Sequence, residues 1–156
     1  MSLYDAFQAI EGLKLAQIIR ESSWLFPAIE ACHLLAFALM GGAIFIVDLR
    51  LMGGGLTGTP SGVVEREARP WFMGGLLVMH TTGVLLGISE AGKLYDRQAF
   101  LVKMIALACA LTVTLVGRAL LIQKVEPGRL PARLLAASSL GLWLLVALAG
   151  RWIGFS

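Results

Sequence analysis

Four long apolar runs, separated by short stretches rich in charge, glycine and proline, give the chain its pattern. The runs cover about residues 24–47, 71–89, 99–122 and 134–150. Each is close to the ~20 residues that a helix needs to cross bilayer hydrocarbon. Trp24 stands where a headgroup-level aromatic belongs, and Pro27 falls in a first helical turn, where its missing N–H is harmless. Asp48 and Arg50 close the first run, and Pro70 and Trp71 open the second. Between them, residues 52–70 read as a Gly, Thr and Pro loop followed by a short polar stretch. Residues 89–98 are too polar for hydrocarbon; Pro127, Gly128 and Pro131 stop the third run, and Arg151 and Trp152 end the fourth.

Residues 1–22 follow a different pattern. Leu3, Phe7, Ile10 and Leu13 recur near one helical face while Lys14, Gln17 and Arg20 fall mostly elsewhere, which predicts one amphipathic helix lying in the membrane interface. Ser2 and Asp5 have the spacing of a capping box at its start. Asp5, Glu11, Lys14 and Arg20 interrupt any uncharged stretch, so no secretory signal is expected and the chain is expected to start at its initiator. The fold class is therefore all-α: one membrane domain over residues 1–156, a four-helix bundle preceded by an interfacial helix.

Composition agrees with this frame. The chain is 58% hydrophobic and 15% charged, with a mean hydropathy of +0.81, whereas a soluble domain carries about 25% charged residues. Its pI of about 9.2 comes from charges lying between the spans, so it speaks for a lipid surface and not for nucleic acid. The 13 Lys and Arg divide almost evenly between the two sides: Lys14, Arg20, Lys93, Arg97, Lys103 and Arg151 on the side of the termini, and Arg50, Arg66, Arg69, Arg118, Lys124, Arg129 and Arg133 on the other. The cluster Lys124, Arg129 and Arg133 tips the expectation toward both termini outside. Cys32 and Cys109 fall inside spans and read as small apolar residues.

The chain's two histidines, His33 and His80, both fall inside apolar runs, where ionisable groups are costly and point to function. His33 lies six residues beyond Pro27, about 9 Å below the terminal-side surface at ~1.5 Å per residue. His80 lies nine residues before Ser89 on an antiparallel helix, about 13 Å below the same surface. Two imidazoles at nearly one depth on neighbouring helices predict axial ligation of one haem b between the first two spans. Ala36, Phe37 and Met40 share a face with His33, and Gly83 and Gly87 share one with His80, leaving room for a macrocycle. Lys93, Lys103 and Arg20 are candidate cations for its propionates, or anchors at helix ends. Glu30, three residues before His33, is a candidate acceptor for an imidazole N–H.

Other chemistry is weaker. Glu30-x-x-His33 has di-iron spacing, but Leu77 and Gly83 stand at the corresponding offsets around His80. Met40, Met73, Met79 and Met104 raise copper handling without a clustered Met or Cys motif. A quinone or other metal site, and histidines that only bond across helices, stay open beside these. Arg118 is expected either to snorkel or to pair with Asp48. No nucleophile constellation or phosphate-binding loop is present in the sequence.

The residues Trp24-x-Phe26-Pro27-x-x-Glu30-x-x-His33 with Asp48-Leu49-Arg50, then Thr82-Gly83-x-Leu85-Leu86, Glu90-Ala91-x-Lys93-x-Tyr95 and Phe100-x-x-Lys103-Met104, resemble a family of small bacterial four-helix membrane proteins known as a domain of unknown function. The resemblance implies a bacterial inner membrane and a four-helix bundle, and it is distantly similar to membrane b-type cytochromes and copper-resistance membrane proteins. The depth and spacing of His33 and His80, and not the resemblance, carry the expectation of a membrane cytochrome for electron transfer or for sensing haem, redox state or a diatomic gas, with an unspecified redox partner. Small residues such as Gly41, Gly42, Gly74, Gly75 and Gly150 predict a homo-oligomer. Copper or other small-solute transport is the alternative, and a scaffold without chemistry is a third.

Overall fold

The structure, a computed structural model, describes residues 3–95, 97–122 and 124–153. Ser2, half of the expected capping box, lies outside them. Four helices are long and apolar enough to cross a membrane: Leu25–Leu51, Ser61–Ser89, Gln98–Leu121 and Leu130–Ile153, here the first to fourth spans. No strand occurs among the described residues. The first span packs on the second and on the fourth, and the third packs on the fourth. The second and third spans make no extended contact, so the ring of helices is open on that side.

The second helix begins at Ser61, ten residues before the expected span, and carries Pro70 inside it. Residues 65–69 are Glu, Arg, Glu, Ala and Arg, all of which favour helix. The backbone carbonyl that Pro70 leaves without a donor lies where the polar ramp meets the apolar run, within reach of interfacial water. A 29-residue helix is ~43 Å long at ~1.5 Å per residue, longer than the ~30 Å of hydrocarbon, so its first turns stand in the headgroup layer.

The N-terminal segment is two short helices, Leu3–Glu11 and Lys14–Glu21, and not the single helix expected. Gly12 ends the first by donating to Gln8 O at 3.0 Å, and Leu13 is extended (ψ 140°). Glu11, at this break, accepts from the Gly92 N–H at 3.0 Å and from Arg20 Nη1 at 2.9 Å, which ties the segment to the turn after the second span.

At the opposite face the first span ends in a left-handed Gly53 (φ 81°), whose N–H donates to Arg50 O at 3.0 Å while the Gly54 N–H reaches Leu49 O at 3.1 Å. A side chain at Gly53 would lie 3.1 Å from the Cα of Gly128, which is also left-handed (φ 82°) and donates to Leu51 O at 2.8 Å. Two glycines therefore let the two loops of this face touch.

Lipid is as apolar as leucine, so packing between spans depends on close contact more than on burial. Gly75 provides the closest approach: a Cβ there would lie 2.8 Å from Met40 Cβ and 3.0 Å from Ala36 O. The mid-membrane core adds Ile44, Phe72, Ala110, Trp143 and Val146. Phe72 meets Trp143 edge to face, with centroids 6.3 Å apart. A second cluster around Val47, Leu51, Val64 and Ile122 fills the loop-side end.

Candidate functional site

Two polar groups of residues face the bundle interior, one on each side of the apolar core. On the terminal side, His33 Nδ1 lies 2.8 Å from Thr82 Oγ1 across the first and second spans. Thr82 Oγ1 lies 2.7 Å from Val78 O, and the hydroxyl's single proton goes to that carbonyl. Accepting from His33 Nδ1 is then the role open to the Thr82 oxygen, and the tautomer that fits it carries the ring proton on Nδ1 and a lone pair on Nε2. The backbone of Met79 is also in hydrogen-bonding reach of the ring. Gly83 lies under the imidazole: a Cβ there would be 3.3 Å from His33 Cε1. Lys103, half-buried on the third span, is within electrostatic range of His33, and its Nζ approaches Gly150.

His80 does not share this enclosure. It is exposed, and its side chain makes no hydrogen bond among the described residues. The reason is rotational. Three residues along a helix turn by ~300°, so His80 stands one turn before Gly83 and about 60° round from it, on the flank of the second span. The expectation of a plate held flat between the first two spans also meets an obstacle. Ala36 and Met40 are buried against Gly75 at the tightest helix crossing, so Ala36 and Gly75 serve contact between helices, and the open space beside them is a groove of about 680 Å³ on the outer face of the two spans, lined by Cys32, Leu39, Trp71 and Val78 among others. Phe37 is half-buried against the same core. Gly87 is half-buried with no atom within 4 Å of a would-be Cβ.

The remaining candidates are placed as follows. Lys93 is exposed and bonds Glu90 at 2.8 Å. Arg20 is held by Glu11 and, at 3.3 Å, by Ser89 O. Glu30 is exposed and does not contact His33's ring; the acceptor role expected of it is taken by Thr82. Thr82 was not singled out by sequence because a threonine in a membrane helix ordinarily bonds only its own i−4 carbonyl, as Thr81 does at 2.9 Å.

On the loop side, Arg118 Nη2 pairs with Asp48 Oδ1 at 2.6 Å and reaches Ile44 O at 3.3 Å and Ser139 Oγ at 3.4 Å. Arg118 therefore pairs and does not snorkel. The contact joins the first, third and fourth spans. Arg118 follows a π-helical segment, Thr112–Gly117, of a kind that recurs at functional sites. Within that segment, Thr114 Oγ1 accepts from Trp143 Nε1 at 2.9 Å. Ser139 and Thr114 carried no sequence signal beyond being polar in an apolar run.

Fold and polar interior together define a multi-pass helical membrane protein with one histidine braced across two spans and one buried ion pair across three. Within that class, residues 17–156 match the model of a family of unknown function (DUF6644), and the chain belongs to that family. No curated protein and no solved structure matches the chain.

Proposed function

We propose that the chain is a membrane haem protein of the b type in which His33 is the fixed axial ligand, serving electron transfer or the sensing of haem, redox state or a diatomic gas. The observation that carries this reading is the brace on Nδ1. A ligating histidine ordinarily donates its other ring N–H to a fixed acceptor, which sets the tautomer and the ring plane. Thr82 does this for His33 and leaves Nε2 free. Gly83 keeps space beside the ring, and Lys103 supplies a cation suited to a propionate. The tight crossing at Gly75 directs the group to the side facing the third span, where the helix ring is open. His80, exposed on the second span and without a side-chain partner, is the candidate for the second axial position. Haem, when bound, supplies a one-electron couple.

The reading extends to a bacterial inner membrane, with both termini periplasmic in keeping with Lys124 and Arg129 in the turn after the third span and Arg133 in the first turn of the fourth. Homo-oligomer formation is part of it: Gly41, Gly42 and Gly74 have no atom within 4 Å of a would-be Cβ and offer open helix surface.

The test is optical. The purified protein should be red, with a Soret band that shifts on reduction; His33→Ala should abolish it, and His80→Ala should keep haem but change its spin state. A colourless protein that takes up no haem on reconstitution, or a band that survives His33→Ala, overturns the proposal.

A further inference from the structure

The loop-side half of the opening between the second and third spans contains a cavity of about 240 Å³ that the haem reading does not use. Its walls include Glu65, Arg69 and Phe72 of the second span and Thr114, Leu115 and Arg118 of the third. Arg118 is 4% exposed, and its Nε has no partner; the Oδ2 of its ion-pair partner Asp48 has none either. The buried pair thus leaves one donor and one acceptor unmet. Thr114 accepts from Trp143 and keeps its own O–H to donate.

Depth and access narrow the ligand. Asp48 and Arg118 each lie three residues before the ends of their helices, Leu51 and Leu121, about 4.5 Å inside them at ~1.5 Å per residue. That is headgroup level, and Glu65 and Arg69 stand beside it on the polar ramp before Pro70. Because the second and third spans do not pack together, the cavity is reached from the side, through lipid. Basic pockets between spans at this level bind lipid headgroups. Here the wall offers two guanidiniums and one carboxylate, so it is complementary to a headgroup with both signs of charge.

We infer that this cavity binds the phosphoethanolamine headgroup of a membrane phospholipid. Arg118, Arg69 and the Thr114 hydroxyl donate to the phosphate, Glu65 accepts from the ammonium, and the acyl chains follow the open side of the bundle. The site is independent of haem.

The experiment is native mass spectrometry of the purified protein titrated with short-chain phosphatidylethanolamine, phosphatidylglycerol and free phosphoethanolamine. Phosphatidylethanolamine should bind about tenfold more tightly than phosphatidylglycerol, the scale of one charge-assisted contact. Glu65→Gln should erase that preference, and Arg69→Gln should weaken both lipids. Equal or tighter binding of phosphatidylglycerol to the unaltered protein overturns the zwitterionic assignment, as does binding indifferent to both substitutions. Free phosphoethanolamine binding as tightly as the lipid overturns the membrane source. Thermal unfolding of each variant, both changed at the cavity wall and not in the ion pair, reports whether the fold is retained.

Discussion

The two ends of this bundle treat their polar groups in opposite ways. On the loop side Asp48 and Arg118 are almost wholly withdrawn, 2.6 Å apart, with Ile44 O and Ser139 Oγ sharing the guanidinium. On the terminal side His33 and Lys103 are only half-buried, His80 is exposed, and the His33 ring meets Thr82 and the Met79 backbone of the second span. Met40, Ile44, Phe72, Ala110 and Trp143 form an apolar layer between the two ends. A buried charge pair is committed to its neighbours and holds helices in place. An imidazole with one nitrogen braced and the other bare is committed only halfway, which is the condition for binding something else.

The largest effect should follow from breaking the committed end. Arg118→Leu leaves Asp48 charged and alone among three spans, and removing one partner of a buried pair costs about 3–5 kcal/mol. Arg118→Leu combined with Asp48→Leu should recover most of that loss, since an apolar replacement of both partners is often neutral. Unfolding of the variants in mixed micelles measures this. A single substitution as stable as the parent would place the ion pair outside the forces that hold the spans together.

A smaller loss is expected where the first two spans cross. Gly75→Leu puts a side chain where a Cβ alone would be 2.8 Å from Met40 Cβ, and overpacking of this kind costs about 1–3 kcal/mol. At the adjacent Gly74 an added Cβ would meet no atom within 4 Å, so Gly74→Leu should leave the stability of the single chain nearly unchanged. The same unfolding measurement compares the two. Equal effects would mean that the crossing is looser than its geometry.

These contrasts also show what a sequence reader can and cannot extract from such a chain. The four spans were legible because uninterrupted apolar length is a direct membrane signal, while for Arg118 the sequence left pairing with Asp48 and snorkelling as equal alternatives, because its distance from the helix end permits both. The rotation of the second span was not legible. In water, an apolar stripe marks the face that packs. In lipid, Leu77 and Val84 facing outward are as apolar as Phe72 facing inward, so periodicity groups His80 with Gly83 without saying which flank meets the first span. That choice is made by Gly75 against Ala36 and Met40, a steric fact visible only with both helices in place. The break at Gly12 was obscured for a related reason: the apolar positions continue past it, while the backbone turns so that Glu11 can reach Gly92. The π-helical turn before Arg118 contains no proline, and Gly117 within it reads equally well as an ordinary small residue.

The smallest effect on stability should carry the most information about the uncommitted end. Thr82→Val removes the acceptor for His33 Nδ1 while keeping the shape of the side chain. Hydrogen bonds between membrane helices are worth about 0.6 kcal/mol on average, so unfolding should barely change. The tautomer should change more. In the parent protein, a Thr82 hydroxyl whose proton goes to Val78 O favours the imidazole proton on Nδ1. Without it, both ring nitrogens compete for that proton and Nε2 is no longer reserved as an acceptor. Nitrogen-15 NMR of histidine-labelled protein should therefore show one dominant neutral tautomer for His33 in the parent, a mixture in Thr82→Val, and the parent pattern again in Thr82→Ser. An unchanged tautomer in Thr82→Val would mean that the Met79 backbone, the other group in reach of the ring, holds the proton unaided. The brace would then belong to the helix backbone, and the difference between the two ends of the bundle would rest on burial alone.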